Sequence, residues 1–372
     1  MAPPLPPLVE ELVEEILIRL PPDDPASLVR AALVSTPWRR LISDPGFRRR
    51  FRRFHREAPM LGFFYVSREQ IHNNRDSDVY PYEEVSIARF APTSSSCPPH
   101  AVQAGLWVSD ARHGRVLLRT LQSSNKPLVL WDPVTDDHQE LPILPHLEFL
   151  HGCSWSAKVL CAAEGTCDHL DCCHGPFNVV VVATASKEVL SSCTYSSEFG
   201  RWSEPTFARQ PSEHYLFHER GTLAENSLYF LFNGGHEILK YDLGTREMSL
   251  IDIPETFCYR RPIVLMTTKD GRLGFAKKIA NTLQLWTREV AHDRARWDTY
   301  FRGPKLICAA DGVGVFFMKT KIGLFMIDQK SGLARKAEVD MDATSDIVPY
   351  INFYTPGTRF FFIFGIGLKR EP

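Results

Sequence analysis

The sequence predicts a multi-domain chain: a small all-α helical module followed by an all-β propeller, most simply one of six blades. Three observations carry this reading. Helical periodicity and repeated cap-proline pairs fill the stretch from Leu5 to Phe51 and end near Pro59. Beyond Pro59 come short runs rich in Val, Phe, Tyr and Leu, broken by Gly, Asp, Asn and Ser, with no helices between them. That is the pattern of antiparallel strands. Within this region an Asp-opened turn recurs at intervals of about 45 residues, the length of four strands with their turns.

The helices come first. Leu8, Leu12, Ile16, Leu17 and Leu20 follow one another at helical spacing and predict one apolar face. Glu10, Glu11, Glu14 and Glu15 fall on the other, the first two near the positive end of the helix dipole. Pro6-Pro7 opens this helix and Pro21-Pro22 closes it. Three further helices are each expected to open on a cap residue followed by proline, at Asp24-Pro25, Thr36-Pro37 and Asp44-Pro45. Proline at the first helical position wastes no hydrogen bond, and the preceding side-chain oxygen accepts one from an orphan amide. Leu28, Ala32, Trp38, Leu41, Ile42, Phe47 and Phe51 supply inward and partner-facing positions. Arginines crowd the last helix, but Phe47, Phe51 and Phe54 recur among them at spacings of four and three. The expectation is an amphipathic linker helix packed on the next domain rather than a nucleic-acid patch.

Three or four short helices in such a span make a thin core, and a module of this kind usually docks onto something else. Leu5-Pro6-Pro7-Leu8, Glu15-Ile16-Leu17, Leu20-Pro21, Val34, Trp38 and Ser43-Asp44-Pro45-Gly46-Phe47 resemble the F-box motif. The chain departs from that motif at Ser35, Thr36 and Pro37, where Cys-Lys-Arg is common, and Pro37 predicts a recut helix junction. The resemblance implies binding of a Skp-type adaptor and, through it, a cullin. It also implies that Leu5, Pro6, Leu8, Leu12, Ile16, Leu17, Leu20, Leu28, Val34, Trp38 and Leu41 face or support the adaptor interface. Leu17 and Trp38 are the expected anchors.

The boundaries are expected at 1–58 for the helical module with its linker helix and 59–372 for the β domain. Trp131-Asp132-Pro133-Val134-Thr135, Tyr241-Asp242-Leu243-Gly244-Thr245 and Ile327-Asp328-Gln329-Lys330-Ser331-Gly332 each join a strand end to an Asp-opened turn. Asp suits the first turn position because its carboxylate accepts backbone amides further on. Aromatic hairpins at Tyr195 to Trp202 and Trp286 to Trp297 supply two more units. The anchors at 131, 195, 241, 286 and 327 lie 64, 46, 45 and 41 residues apart, and the long interval holds an inserted loop. A hairpin from about Leu61 to Phe90 makes the sixth unit, and Val348 to Tyr354 is expected to pair with it and close the ring. This region resembles the F-box-associated propellers of plant, especially grass, F-box proteins. The Phe360 to Leu368 run is left as an extra strand or an apolar end.

Composition narrows the function classes. A net charge of −1 gives no overall bias toward nucleic acid or anionic membranes, and 44% hydrophobic with 23% charged residues is ordinary for a globular protein. The longest apolar stretch falls short of a bilayer span. The amino-terminal residues carry neither a basic n-region nor an apolar h-region, so no secretory signal is expected. Nine irregularly spaced cysteines favour reduced thiols in the cytoplasm or nucleus.

Cys161, Cys167, His169, Cys172, Cys173 and His174 gather in one short segment, enough donors for zinc. Their spacings are not those of a paired knuckle, and adjacent cysteines rarely point into one site. The expectation is an inserted loop with unpaired thiols, no metal and no cofactor. Nucleophile-elbow, His-Glu-x-x-His, phosphate-loop and dinucleotide motifs are absent. Gly312-Val313-Gly314, inside an apolar run, is expected to be a bulge or close-packing site. The resemblance to F-box proteins, with these catalytic motifs absent, implies a non-catalytic substrate receptor of a ubiquitin ligase, acting in ubiquitin-dependent degradation. A non-ligase scaffold is the alternative, with a propeller enzyme behind it.

Overall fold

The computed structural model describes residues 9–72, 82–93, 102–104, 106–120, 128–145, 154–163, 167–170, 172–186, 189–209, 216–232, 237–253, 263–268, 270–279, 282–287, 294–296, 305–339 and 346–356. Helices α1 (Glu10–Ile18), α2 (Pro25–Val34), α3 (Thr36–Ser43) and α4 (Pro45–His55) come first. At α4 the expected cap is in place: the Asp44 carboxylate accepts the amides of Gly46 at 2.7 Å and Phe47 at 3.1 Å. At α3 the cap moves one residue back. Ser35, in extended backbone, accepts the Trp38 amide at 3.3 Å. Thr36 and Pro37 then occupy the first two helical positions, where a missing N–H costs nothing. The recut junction expected from Pro37 is this shift. Asp24 makes no backbone cap; it accepts the Ser27 hydroxyl at 2.6 Å.

The helical core is built from Val13, Leu17, Ile18, Leu28, Ile42, Phe47 and Phe51, all buried. Phe54 is not part of it. It is 52% exposed, with the Arg19 guanidinium 5.9 Å from its ring. The inward line of α4 runs at spacings of four, through Phe47, Phe51 and His55, whose Nε2 meets the Ile18 carbonyl at 2.9 Å.

Among the described residues twenty-five strands follow, in six antiparallel sheets. The first holds β1 (Met60–His72), β2 (Tyr82–Pro92) and β3 (Val102–Ala104), and the second β4 (Leu106–Arg112), β5 (Arg115–Thr120), β6 (Val129–Asp132) and β7 (Asp137–Glu140). The third holds β8 (Trp155–Cys161), β9 (Phe177–Ser186) and β10 (Val189–Ser196), with β11 (Arg201–Trp202) and β12 (Thr206–Arg209) both pairing β10. The fourth runs β13 (Leu216–Ala224), β14 (Ser227–Phe232), β15 (Glu237–Asp242), β16 (Met248–Asp252). The fifth runs β17 (Val264–Thr267), β18 (Leu273–Ile279), β19 (Thr282–Thr287), β20 (Arg294–Arg296). The sixth runs β21 (Lys305–Ala310), β22 (Val315–Thr320), β23 (Gly323–Asp328), β24 (Ala334–Lys336).

Last among the described strands, β25 (Ile347–Ile351) is the innermost strand of the first sheet, pairing Tyr65 with Ile347, Phe64 with Val348 and Gly62 with Tyr350. The inner strands β25, β4, β8, β13, β17 and β21 are neighbours in that order, so the sheets form the blades of a closed six-bladed propeller. Ring closure by the C-terminal strand is thus observed, but the strand is shorter than the expected 348–354. After Ile351 the backbone turns away. The Asn352 amide donates to the Pro59 carbonyl at 3.1 Å, and Phe353 leaves the propeller to enter the helical core. Its ring meets Phe51 edge-on at 6.3 Å.

The five anchors read from the sequence all lie on the third strand of a blade. Trp131, Tyr195, Tyr241 and Ile327 are buried, and Trp286 is half-buried. Four of the turns that follow share one geometry. The amides of Asp136, Gly200, Arg246 and Gly332 each donate to the carbonyl four residues back, and each of these residues has φ near +60 to +72°. The Asp132 carboxylate accepts the Val134 and Thr135 amides, and Asp242 those of Gly244 and Thr245, at 2.8 to 3.3 Å. Gly312 and Gly314 do not form a bulge. They sit in the β21–β22 turn with φ of +75° and +77°, a backbone that excludes most side chains. The Phe360 to Leu368 run lies outside the described residues. Among the described residues, no helix is long and apolar enough to cross a membrane.

Candidate functional site

Two regions combine exposed or unsatisfied chemistry with defined geometry: the outer face of the helical module, and the loop on which that module rests. On α1, Leu12 and Ile16 lie one helical turn apart and are 52% and 55% exposed, with Val9 beside them. At the end of α2, Leu33 and Val34 are 51% and 67% exposed. Apolar side chains left in water on a module this small are what a partner interface requires. The face is held by polar contacts at its back, where Arg50 of α4 pairs with Glu14 of α1. Arg19 pairs with Glu15 within α1.

The residues implied by the motif divide three ways. Leu12, Ile16 and Val34 point outward. Leu20, Trp38 and Leu41 are half-buried against the helical core. Leu17 and Leu28 are 2% and 1% exposed, so they lie in the helical core behind that face. Leu17 is therefore corrected as an anchor: two neighbouring positions of one helix, Ile16 and Leu17, point about 100° apart, and the core takes the second. Leu5, Pro6 and Leu8 lie outside the described residues. Val9 and Leu33 were not singled out in the sequence, since neither belongs to the motif.

Beneath the helices lies the loop between β8 and β9. Arg52, buried on α4, donates to the Leu170 carbonyl at 3.1 Å, and Leu170 packs against the helical core. The loop returns to the sheet where Cys161 pairs with Phe177 and the Ala162 amide donates to the Pro176 carbonyl at 3.0 Å. Arg115 donates to the Gly175 carbonyl and lies over the Phe177 ring at 5.1 Å. The donor atoms of Cys161, Cys167, His169 and Cys172 all come within 4.8 Å of one another. These cysteines form no disulfide, as expected of an inserted loop, but the reading that their spacing does not make one site is corrected for these four. Linear spacing hides their convergence because Cys161 ends a strand, whereas the other three arrive on the returning loop. His113 stacks on His169 at 4.4 Å. Burial, with Arg112 next, lowers the His113 pKa to about 3, so that ring is neutral. Burial also lowers His169 and, with Cys161 and Cys167 nearby, raises the Cys172 thiol.

Further in, the inner strands surround a cavity of about 320 Å³ lined by Asp110, Arg112, Lys158 and Asp311 and reached by Arg52 and Arg56. The four inner charges pair with one another or with neighbouring strands. Lys158 meets Asp110 at 3.2 Å, both almost fully buried, while the Val159 amide donates to the same carboxylate at 3.0 Å. Asp311 accepts Thr222 at 2.7 Å and the Thr267 amide at 3.1 Å, with Arg112 at 3.5 Å. These contacts tie five blades together, the second through the sixth.

Residues 5–50 match the F-box domain model. No curated protein matches the chain. Among solved structures, the chain is similar to the extracellular domain of a one-component system from B. thetaiotaomicron, at 10% identity and a TM-score of 0.38. That match covers 76% of this chain and 39% of the other, so this chain spans well under half the length of that protein.

Proposed function

We propose that this F-box-bearing chain is the substrate-recognition subunit of an SCF-type cullin-RING ubiquitin ligase. The observation that carries the reading is the coincidence of the F-box match at residues 5–50 with the exposed apolar positions Leu12, Ile16 and Val34 on the same helices. Helix faces of this kind enter hydrophobic grooves, and a few buried anchors supply most of the affinity. A Skp-type adaptor would take this face and bring the cullin with it. The propeller would hold a target protein near the transferred ubiquitin, so the chain contributes proximity and no chemistry of its own.

The helical module rests on the propeller at Leu170 of the β8–β9 loop and at Phe353, just after β25. The target is therefore assigned to the opposite end. Partners of this class, and nine cysteines without a disulfide pattern, favour action in the cytoplasm or nucleus. The motif pattern and the order of the two modules resemble those of plant F-box proteins. The remaining alternative is a scaffold that keeps the helical module without entering a ligase, and one experiment separates the two.

Calorimetric titration of the full chain with a purified Skp-type adaptor should show binding. The Leu12→Ser/Ile16→Ser double variant should weaken it by roughly 2 kcal/mol or more, about thirtyfold, while its thermal midpoint barely moves. Leu17→Ala should do the reverse, costing about 2–5 kcal/mol of stability with no anchor lost from the face. Absence of any adaptor binding by the folded wild type would leave the scaffold reading. Undiminished binding by the double variant would place the interface elsewhere.

A further inference from the structure

We propose that Cys161, Cys167, His169 and Cys172 bind a zinc ion, which fastens the β8–β9 loop beneath helix α4. The set is three thiols and an imidazole, one of the usual closed ligand sets of structural zinc. Its donors lie within 4.8 Å of one another. For zinc with Zn–S of ~2.3 Å and Zn–N of ~2.0–2.1 Å, tetrahedral geometry puts sulfur and nitrogen ~3.6 Å apart. The Cys172 Sγ to His169 Nδ1 distance is 3.7 Å. Soft donors without a carboxylate disfavour magnesium and calcium, which take oxygen ligands.

The surroundings suit the bound state. The His169 amide donates to Cys167 Sγ at 3.3 Å, a bond that favours the thiolate. Three thiolates around one divalent cation leave a surplus negative charge. Arg115 lies within electrostatic reach of Cys161 and Cys172, and Arg112 of His169. Asp168, next to two of the ligands, already accepts the Leu170 amide at 3.1 Å. None of the described cysteines forms a disulfide.

The consequence is mechanical. Leu170 lies between His169 and Cys172 in sequence, and it is the residue that meets α4, through its side chain and its carbonyl. A metal held on both sides of Leu170 fixes that contact. The adjacent Cys173 is outside the set, which makes it an internal control.

The test uses the full chain, purified in reducing buffer without chelator. Elemental analysis should find roughly one zinc per chain, retained in Cys173→Ser and Cys193→Ser and lost in Cys167→Ser. Zinc far below stoichiometric in the wild type overturns the proposal. So does zinc unchanged in Cys167→Ser, or lost equally in Cys173→Ser. If Cys167→Ser does not fold, the wild type decides by cobalt exchange. Intense visible d–d bands with thiolate-to-cobalt charge transfer support a tetrahedral sulfur-rich site, whereas weak bands of an oxygen-ligated ion overturn it. Hydrogen exchange should also rise in both the 167–170 segment and α4 when a chelator strips the metal; unchanged α4 protection would overturn the mechanical role.

Discussion

The helical module and the propeller bury apolar surface by opposite means. The propeller is a closed ring in which every blade packs against two others, and Ser227–Phe232 on β14 is buried at each position. The helical module cannot close on itself: α1 to α4 leave their core open toward the propeller, and Phe353 completes it from the other end of the chain. A ring draws its stability from non-local pairing, while the small bundle borrows part of its core. The two modules are thus linked through one short segment, in which β25 finishes the ring and the residues after it finish the bundle.

Removing residues 346–372 tests that linkage most severely. It takes away Ile347, Val348, Tyr350, Phe353 and Tyr354, all buried. At ~1.5–3 kcal/mol for each such side chain, the loss rivals the ~5–15 kcal/mol net stability of a domain. The shortened chain should aggregate or lose its cooperative melt, and adaptor binding should fall with it. Cutting at 358 should be far milder. A cooperative transition of the 1–345 chain near the full-length temperature would show that the ring closes without β25.

Phe353→Ala separates the two modules more gently. A fully buried Phe typically costs about 3–5 kcal/mol when cut to Ala. Because its ring sits among Phe51 and its neighbours, the loss should fall on the bundle. Hydrogen exchange should rise in α1 and α4 while β14 and β15 keep their protection. Equal loosening of both regions would mean that the bundle and ring unfold as one unit.

The smallest effect concerns the repeated turns of the ring. The Thr245 amide first, with the Gly244 amide and Lys240, holds the Asp242 carboxyl below its usual pKa. A carboxylate with a lowered folded pKa contributes stability above its unfolded pKa, about 4, and loses it as pH falls through the folded value. Asp242→Asn keeps the acceptor but not the charge. Its melting temperature should therefore drop less than that of the wild type between pH 5 and pH 3. The carboxylate is on the surface, so the difference should be small; identical acid limbs would show that the charge contributes nothing to this turn.

The turns also show what could be read in the chain. Asp132, Asp242 and Asp328 were legible because their carboxylates bond to amides two or three residues on, a local chemistry independent of the rest of the fold. The same holds for the Asp44 cap and for the anchors Trp131 and Tyr241, whose spacing reflects one repeated supersecondary unit. The misjudged positions were those decided by distant partners. Phe54 fits the sequence period of a buried face, yet His55 takes the inward place because the Ile18 carbonyl is there to meet it. Leu17 and Ile16 are neighbours of similar hydropathy; packing sends one inside and leaves the other exposed.

The sequence by itself determined the two-part organisation, the starts of α2, α3 and α4, and the blade repeat, since each rests on periodicity, caps and turns that act locally along the chain. The tertiary structure decided where those parts meet. It took Phe353 out of the last blade and into the first bundle, and it turned four dispersed donors into one cluster by running β8 out and the loop back. Sequence spacing carries no record of such meetings, because residues far apart along the chain, or on opposite limbs of a loop, are brought together only when the surfaces between them pack.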